Sequence, residues 1–203
     1  VWIVIYVVGY SVAESCTSSA LKSKIATAIF GIILSGVILL FIKKNQLMKY
    51  FGINKVQGEM KKFLYFIPMV ILMSVNLWFG VTRKASIPET LFMIISMCCV
   101  GFLEEIIFRG FLFKAMYKKG VVSAIAVSSL TFGIGHIVNL LNGTPVFETM
   151  NQVVYACAIG FVFTVIVYIG KSLLPCILAH VVIDVLSIFA VEPEKKSIFW
   201  LLL

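Results

Sequence analysis

Charge is scarce in this sequence: 13% of its 203 residues are Asp, Glu, Lys or Arg, while 61% are hydrophobic. Soluble domains carry roughly 25% charged and about 45–50% apolar residues, so a water-soluble fold would lack the polar surface to cover these side chains. The mean hydropathy of +1.08 says the same. Acidic residues are scarcest, nine against seventeen Lys and Arg, and the net charge of +8 raises the question of a nucleic-acid partner. Its distribution argues against one. The basic residues stand between apolar stretches, at Lys22/Lys24, Lys43/Lys44, Lys61/Lys62, Arg83/Lys84, Lys118/Lys119 and Lys195/Lys196, as membrane proteins punctuate their spans. The five cysteines (Cys16, Cys98, Cys99, Cys157, Cys176) lack metal-finger spacing and read as free thiols behaving as small hydrophobes. G-x-S-x-G and H-E-x-x-H are also missing, so neither a serine nucleophile nor the common zinc-protease arrangement is indicated.

What is present is a series of apolar runs. A membrane span needs about 20 apolar residues, and seven candidates appear: Val1–Val12, Ile25–Ile42, Phe63–Val81, Pro88–Phe113, Val121–Ile137, Val153–Ile169 and Leu173–Val191, with Ile198–Leu203 as the start of an eighth. The expected fold is an all-α polytopic transmembrane helix bundle of seven to eight spans with a site in its interior. No repeat or long linker divides it, so residues 1–203 read as a single transmembrane domain. Val1–Val12 lacks a basic n-region and a small-residue cleavage site and reads as a first span. The polar connection Lys43–Lys62 has room for a short amphipathic interfacial segment around Met48–Ile53. Ser86-Ile87-Pro88-Glu89 is a capping box with Pro in the first turn, and Ser172 and Pro175 mark a similar start for the last span. Gly133 and Gly135 suit a helix packed closely against its neighbours. Ten basic residues in the 2–3, 4–5 and 6–7 connections, against six on the other side, put those loops and the N-terminus in the cytoplasm of a cell-membrane protein.

The exceptions inside the runs are Glu104, Glu105, Arg109, His136, His180 and Asp184. A charge at the bilayer centre costs at least about 2.5–3.5 kcal/mol, so each needs compensation. Glu105 and Arg109 lie i,i+4 on one helix face and can pair, while Glu104 points about 100° away. Phe132 and His136 are i,i+4 on the fifth span, as are His180 and Asp184 on the seventh. Taken singly, each has a plain explanation: a structural ion pair, an interfacial histidine beside Asn139 and Asn142, an interhelical hydrogen bond. Together, polar groups on three helices suit one bundle cavity. A desolvated carboxylate and imidazole activate water as a general base, and a second imidazole with an acid or amide donates to an oxyanion.

Glu104-Glu105-Ile106-Ile107-Phe108-Arg109 resembles the E-E-x-x-x-R motif of the CPBP family, the CAAX proteases and bacteriocin-processing enzymes also called ABI. Phe132-Gly133-Ile134-Gly135-His136 resembles its F-x-x-x-H motif, and His180-Val181-Val182-Ile183-Asp184 its H-x-x-x-N/D motif, in the same order. The resemblance covers about Pro88–Val191, so 88–191 is expected to be the catalytic core. It implies a glutamate-dependent intramembrane endopeptidase in which Glu104 and His136 activate water, His180 and Asp184 stabilise the oxyanion, and Glu105 and Arg109 support the site. Prenyl-processing members carry Asn where this chain has Asp184. An ionised Asp cannot donate to an oxyanion, so Asp184 is expected to orient and charge His180, which donates instead.

The expected partners are the lipid bilayer and a peptide or membrane-protein substrate, with no nucleic acid, no cofactor and no metal. The substrate is a prenylated CAAX terminus, or a peptide in bacteriocin processing or self-immunity. The rival readings are a metal-dependent hydrolase with an ion on Glu104, His136 and His180, an ion- or proton-coupled carrier, and a non-catalytic immunity protein.

Overall fold

The computed structural model describes residues 1–56, 64–141 and 143–191. The eighth candidate span at Ile198–Leu203, the basic pairs Lys61/Lys62 and Lys195/Lys196, and Asn142 lie outside the described residues. The described chain is helical. Its elements are α1 (Trp2–Ser15), α2 (Ala20–Lys44), α3 (Ile67–Ser74), α4 (Ile87–Glu104), a π-helical stretch (Glu105–Leu112), α5 (Phe113–Tyr117), α6 (Val121–Gly135), α7 (Val146–Gly170) and α8 (Leu174–Ser187). Short 3₁₀ turns extend α3 to Leu64–Leu77 and α6 to Leu140. No strand occurs among the described residues, only one antiparallel bridge, between Val81 and Ala190.

An all-α bundle of apolar helices is thus what the sequence led us to expect, but the span count needs correcting. Among the described residues four helices are long and apolar enough to cross a membrane: Ala20–Lys44, Ile87–Tyr117, Val121–Leu140 and Val146–Gly170. Three of the expected seven, Trp2–Ser15, Leu64–Leu77 and Leu174–Ser187, are shorter. A helix of 14 residues rises about 21 Å, less than the roughly 30 Å hydrocarbon core. Apolar composition alone does not distinguish a full span from a short helix seated among longer ones.

Local chemistry sets the helix starts. The Ser86 Oγ accepts from the Glu89 amide, and the Glu89 carboxylate accepts from the Ser86 amide at 3.0 Å, completing the capping box that opens α4. At α8, the Leu174 amide donates to Ser172 Oγ at 3.2 Å, with Pro175 in the first turn, where its missing N–H leaves no gap. The segment around Met48–Ile53 is a set of tight turns rather than an amphipathic helix. Phe51 is buried edge-on against Phe111 at 4.7 Å, and the Gly52 carbonyl accepts from the Leu173 amide at 2.7 Å, so this connection clamps the α7–α8 corner.

Packing then brings the polar groups together. α4 lies between α2 and α8, and α6 packs along α7. Two glycines permit the closest approaches. A Cβ on Gly101 would stand 2.9 Å from the Val181 backbone N, so α4 meets α8 almost backbone to backbone next to His180. One on Gly133 would stand 2.7 Å from the Val153 carbonyl, whereas Gly135, expected to share this role, faces open space. Gly101→Val is therefore expected to lower stability by about 1–3 kcal/mol through overpacking. Gly36→Val, where nothing lies within 4 Å, is the matched control in a detergent melting series.

Candidate active site

The E-E-x-x-x-R segment falls where α4 gives way to the π-helical stretch, and residues Glu105 to Gly110 are all buried. A π turn closes i→i+5 bonds and recurs at functional sites; here it carries Glu105 and Arg109 inward together. Arg109 NH1 donates to Glu105 Oε1 at 2.9 Å, with both side chains 0% exposed. The guanidinium carbon also sits 4.2 Å from the centroid of the Phe132 ring, which adds cation–π attraction to a desolvated cation. Among the described residues Arg109 Nε and NH2 and Glu105 Oε2 have no hydrogen-bond partner. The pair is therefore held by one strong contact and two aromatic faces, Phe132 and, at 5.7 Å, Phe163.

His180 joins the two glutamates. Its Nδ1 lies 2.8 Å from Glu105 Oε1, and its Nε2 lies 3.4 Å from Glu104 Oε2 and 3.7 Å from Asp184 Oδ2. A neutral imidazole can donate to only one of these sides, while the cation can donate to both. The tightest contact on the ring is Glu105, expected from sequence only as support; Asp184 sits at ion-pair distance, beyond a hydrogen bond. The ring is further set by edge contacts to Phe132 and Phe163, at 5.7 and 5.9 Å between centroids.

Exposure separates the two glutamates. Glu105 is sealed, whereas the side chains of Glu104 and Asp184 are 12% and 20% exposed. Consecutive residues turned in different directions thus have different surroundings. Glu105 is locked in an ion pair, and Glu104 is the carboxylate that water can reach. Glu104 Oε1 accepts from the Tyr6 hydroxyl at 2.5 Å, 98 residues away in sequence, leaving Oε2 towards His180.

Of the six residues expected from sequence, Glu104, Glu105, Arg109, His180 and Asp184 share one connected cluster. His136 stands beside it. Its Nδ1 pairs with the Phe132 carbonyl at 3.2 Å, and its ring meets the Phe132 ring at 5.3 Å, so Phe132 lies between the two histidines. Among the described residues no hydrogen bond or ion pair joins His136 to Glu104. Phe132, which the F-x-x-x-H pattern contains, faces Arg109, His136 and His180 alike. Tyr6 was not foreseen; the four-residue spacing of Trp2, Tyr6 and Tyr10 along one face of α1 was the only sign of it. Among the described residues no group of three or more His, Cys, Asp or Glu is arranged to hold a metal ion.

Residues 84–186, half of the chain, match the model of the family described as type II CAAX prenyl endopeptidase Rce1-like. Comparisons with curated proteins and with solved structures each found no match. The matched segment contains α4 to most of α8 and every residue of the cluster except Tyr6. The chain belongs to the Rce1-like family, a family of CAAX proteases.

Proposed function

From that membership we propose that the chain is a multi-pass cell-membrane endopeptidase that hydrolyses a peptide bond with water activated by Glu104 and His136. The observation that carries the reading is the division between the two glutamates: Glu105 sealed against Arg109, Glu104 partly open beside His180. Water bound at Glu104 Oε2 loses its proton to the carboxylate as its oxygen attacks the scissile carbonyl. His136, on the neighbouring helix, accepts a hydrogen bond from that water at Nε2 and so orients it, and the proton taken up by Glu104 then passes to the leaving amine as the C–N bond breaks. His180, fixed by Glu105 and near Asp184, donates to the tetrahedral oxyanion. Glu105 and Arg109 hold His180 in place. The substrate is a prenylated CAAX terminus presented from the membrane, and 88–191 is the catalytic core, with the N-terminus in the cytoplasm.

The test uses purified protein in proteoliposomes with a farnesylated CAAX peptide and its unprenylated counterpart. Cleavage of the first, lost in His136→Ala, supports the reading. A His136→Ala variant that folds and cleaves at the wild-type rate removes His136 from the mechanism. Asp184→Asn is expected to lower the rate less than about tenfold, because Asp184 stands 3.7 Å from His180 Nε2 while Glu105 holds the ring at 2.8 Å. Complete inactivation would instead make the Asp184 charge essential. Strong chelators are expected to leave the rate unchanged, and abolition restored by zinc would favour the metal-dependent alternative.

A further inference from the structure

We infer that Tyr6, on a helix outside the family-matched segment, is a positioning residue that holds Glu104 in its working orientation. The inference rests on the proposed role of Glu104. Its hydroxyl donates to Glu104 Oε1 at 2.5 Å, the shortest contact that this carboxylate makes among the described residues. One oxygen is thereby occupied, and the other is turned to His180. Without Tyr6 the contact left to Glu104 among those described is the longer 3.4 Å approach to His180 Nε2, since Arg109 is engaged by Glu105.

The hydroxyl is delivered by a built support. The Trp2 ring stacks on Phe111 of the π-helical stretch at 6.3 Å and leans on Phe41 of α2 at 6.1 Å. Tyr6 meets Tyr10 edge-on at 5.2 Å, and Tyr10 meets Phe30 of α2 edge-on at 5.2 Å. Aromatic contacts at both ends of this row pin α1 against the bundle. On a helix that buries no residue completely, Tyr6 is the one side chain among the described hydrogen bonds that reaches the cluster with a polar atom. A lipid-facing helix has no need of a phenol on a carboxylate. A helix that sets a catalytic carboxylate does.

A hydrogen bond to a charged group contributes about 1.5–3 kcal/mol, equivalent to roughly a tenfold to hundredfold change in rate when it acts on the reacting group. Tyr6→Phe keeps the ring and removes only the hydroxyl. Among the described residues the titratable or charged groups facing Glu104 are Tyr6 and, farther off, Tyr10 from α1, and His180 and Asp184 from α8, with Glu105 and Arg109 behind His180.

The test measures kcat, KM, the pH–rate profile and the melting temperature of folded wild type, Tyr6→Phe and Tyr10→Phe on the farnesylated peptide. Tyr10 sits in the same aromatic row, and among the described residues its hydroxyl makes no hydrogen bond to Glu104. The expected result for Tyr6→Phe is a roughly tenfold to hundredfold lower kcat, an unchanged KM and a displaced acid limb of the profile, with Tyr10→Phe matching wild type. Equal losses in both tyrosine variants, or a lowered melting temperature with an unmoved pH profile, would make the role structural and overturn the inference. Tyr6→Phe matching an active wild type overturns it alone; a folded wild type that cleaves nothing overturns the proposed function and this inference with it.

Discussion

Glu104→Gln is expected to lower kcat by about 10²–10⁴-fold or more while leaving the protein folded. The amide is nearly isosteric with the carboxylate. Its carbonyl can still accept from the Tyr6 hydroxyl, and the side chain keeps its place beside His180. What it loses is basicity, so it cannot take a proton from water. Because Glu104 is partly open and not locked in the ion pair, the melting temperature is expected to stay within a few degrees of wild type. Steady-state cleavage of the farnesylated peptide together with a detergent melting curve measures both. A folded Glu104→Gln variant with undiminished kcat would remove the general base from the mechanism.

The largest stability loss is expected at Arg109, not at the partly open glutamate. Arg109→Met removes the only partner of Glu105 able to neutralise it in every protonation state of His180, and leaves a buried carboxylate against apolar side chains. Breaking a buried pair from one side costs about 3–5 kcal/mol. Removing both charges is far milder, so Glu105→Gln with Arg109→Met is expected to recover much of that loss. His180 would still be without its 2.8 Å carboxylate partner, and activity should remain low in the double variant. Thermal or denaturant unfolding of the two single variants and the double variant gives the coupling directly. Additive losses, with no recovery in the double variant, would show that Arg109 stabilises through its packing on Phe132 and not through its charge.

Much of this was legible in the sequence, for identifiable reasons. Ser86 and Glu89 announce a helix start because capping is local: both partners lie within one turn. Glu105 and Arg109 announce an ion pair for the same reason, and their scarcity in apolar runs marks them out. The contacts that build the site are not local. Glu105 reaches His180 across 75 residues and Tyr6 reaches Glu104 across 98, and neither separation leaves a periodic trace. Sequence reasoning coupled His180 to Asp184 because they are i,i+4, yet the bundle brings Glu105 closer. The π-helical turn was equally hidden, since Glu105–Leu112 reads as ordinary apolar helix until its backbone is seen. Length misled as well: the run Leu173–Val191 is apolar enough for a full span, but the helix it forms, α8, has 14 residues.

The most direct measurement is mass spectrometry of a farnesylated CAAX peptide after incubation with the purified wild-type chain in ¹⁸O-labelled water. Hydrolysis at the Glu104 site predicts two fragments whose masses sum to the peptide plus one water, with the label on the new carboxyl group. It also predicts that Glu104→Gln leaves the peptide intact. An intact peptide with folded wild-type protein, or the same labelled fragments from Glu104→Gln, would contradict the account.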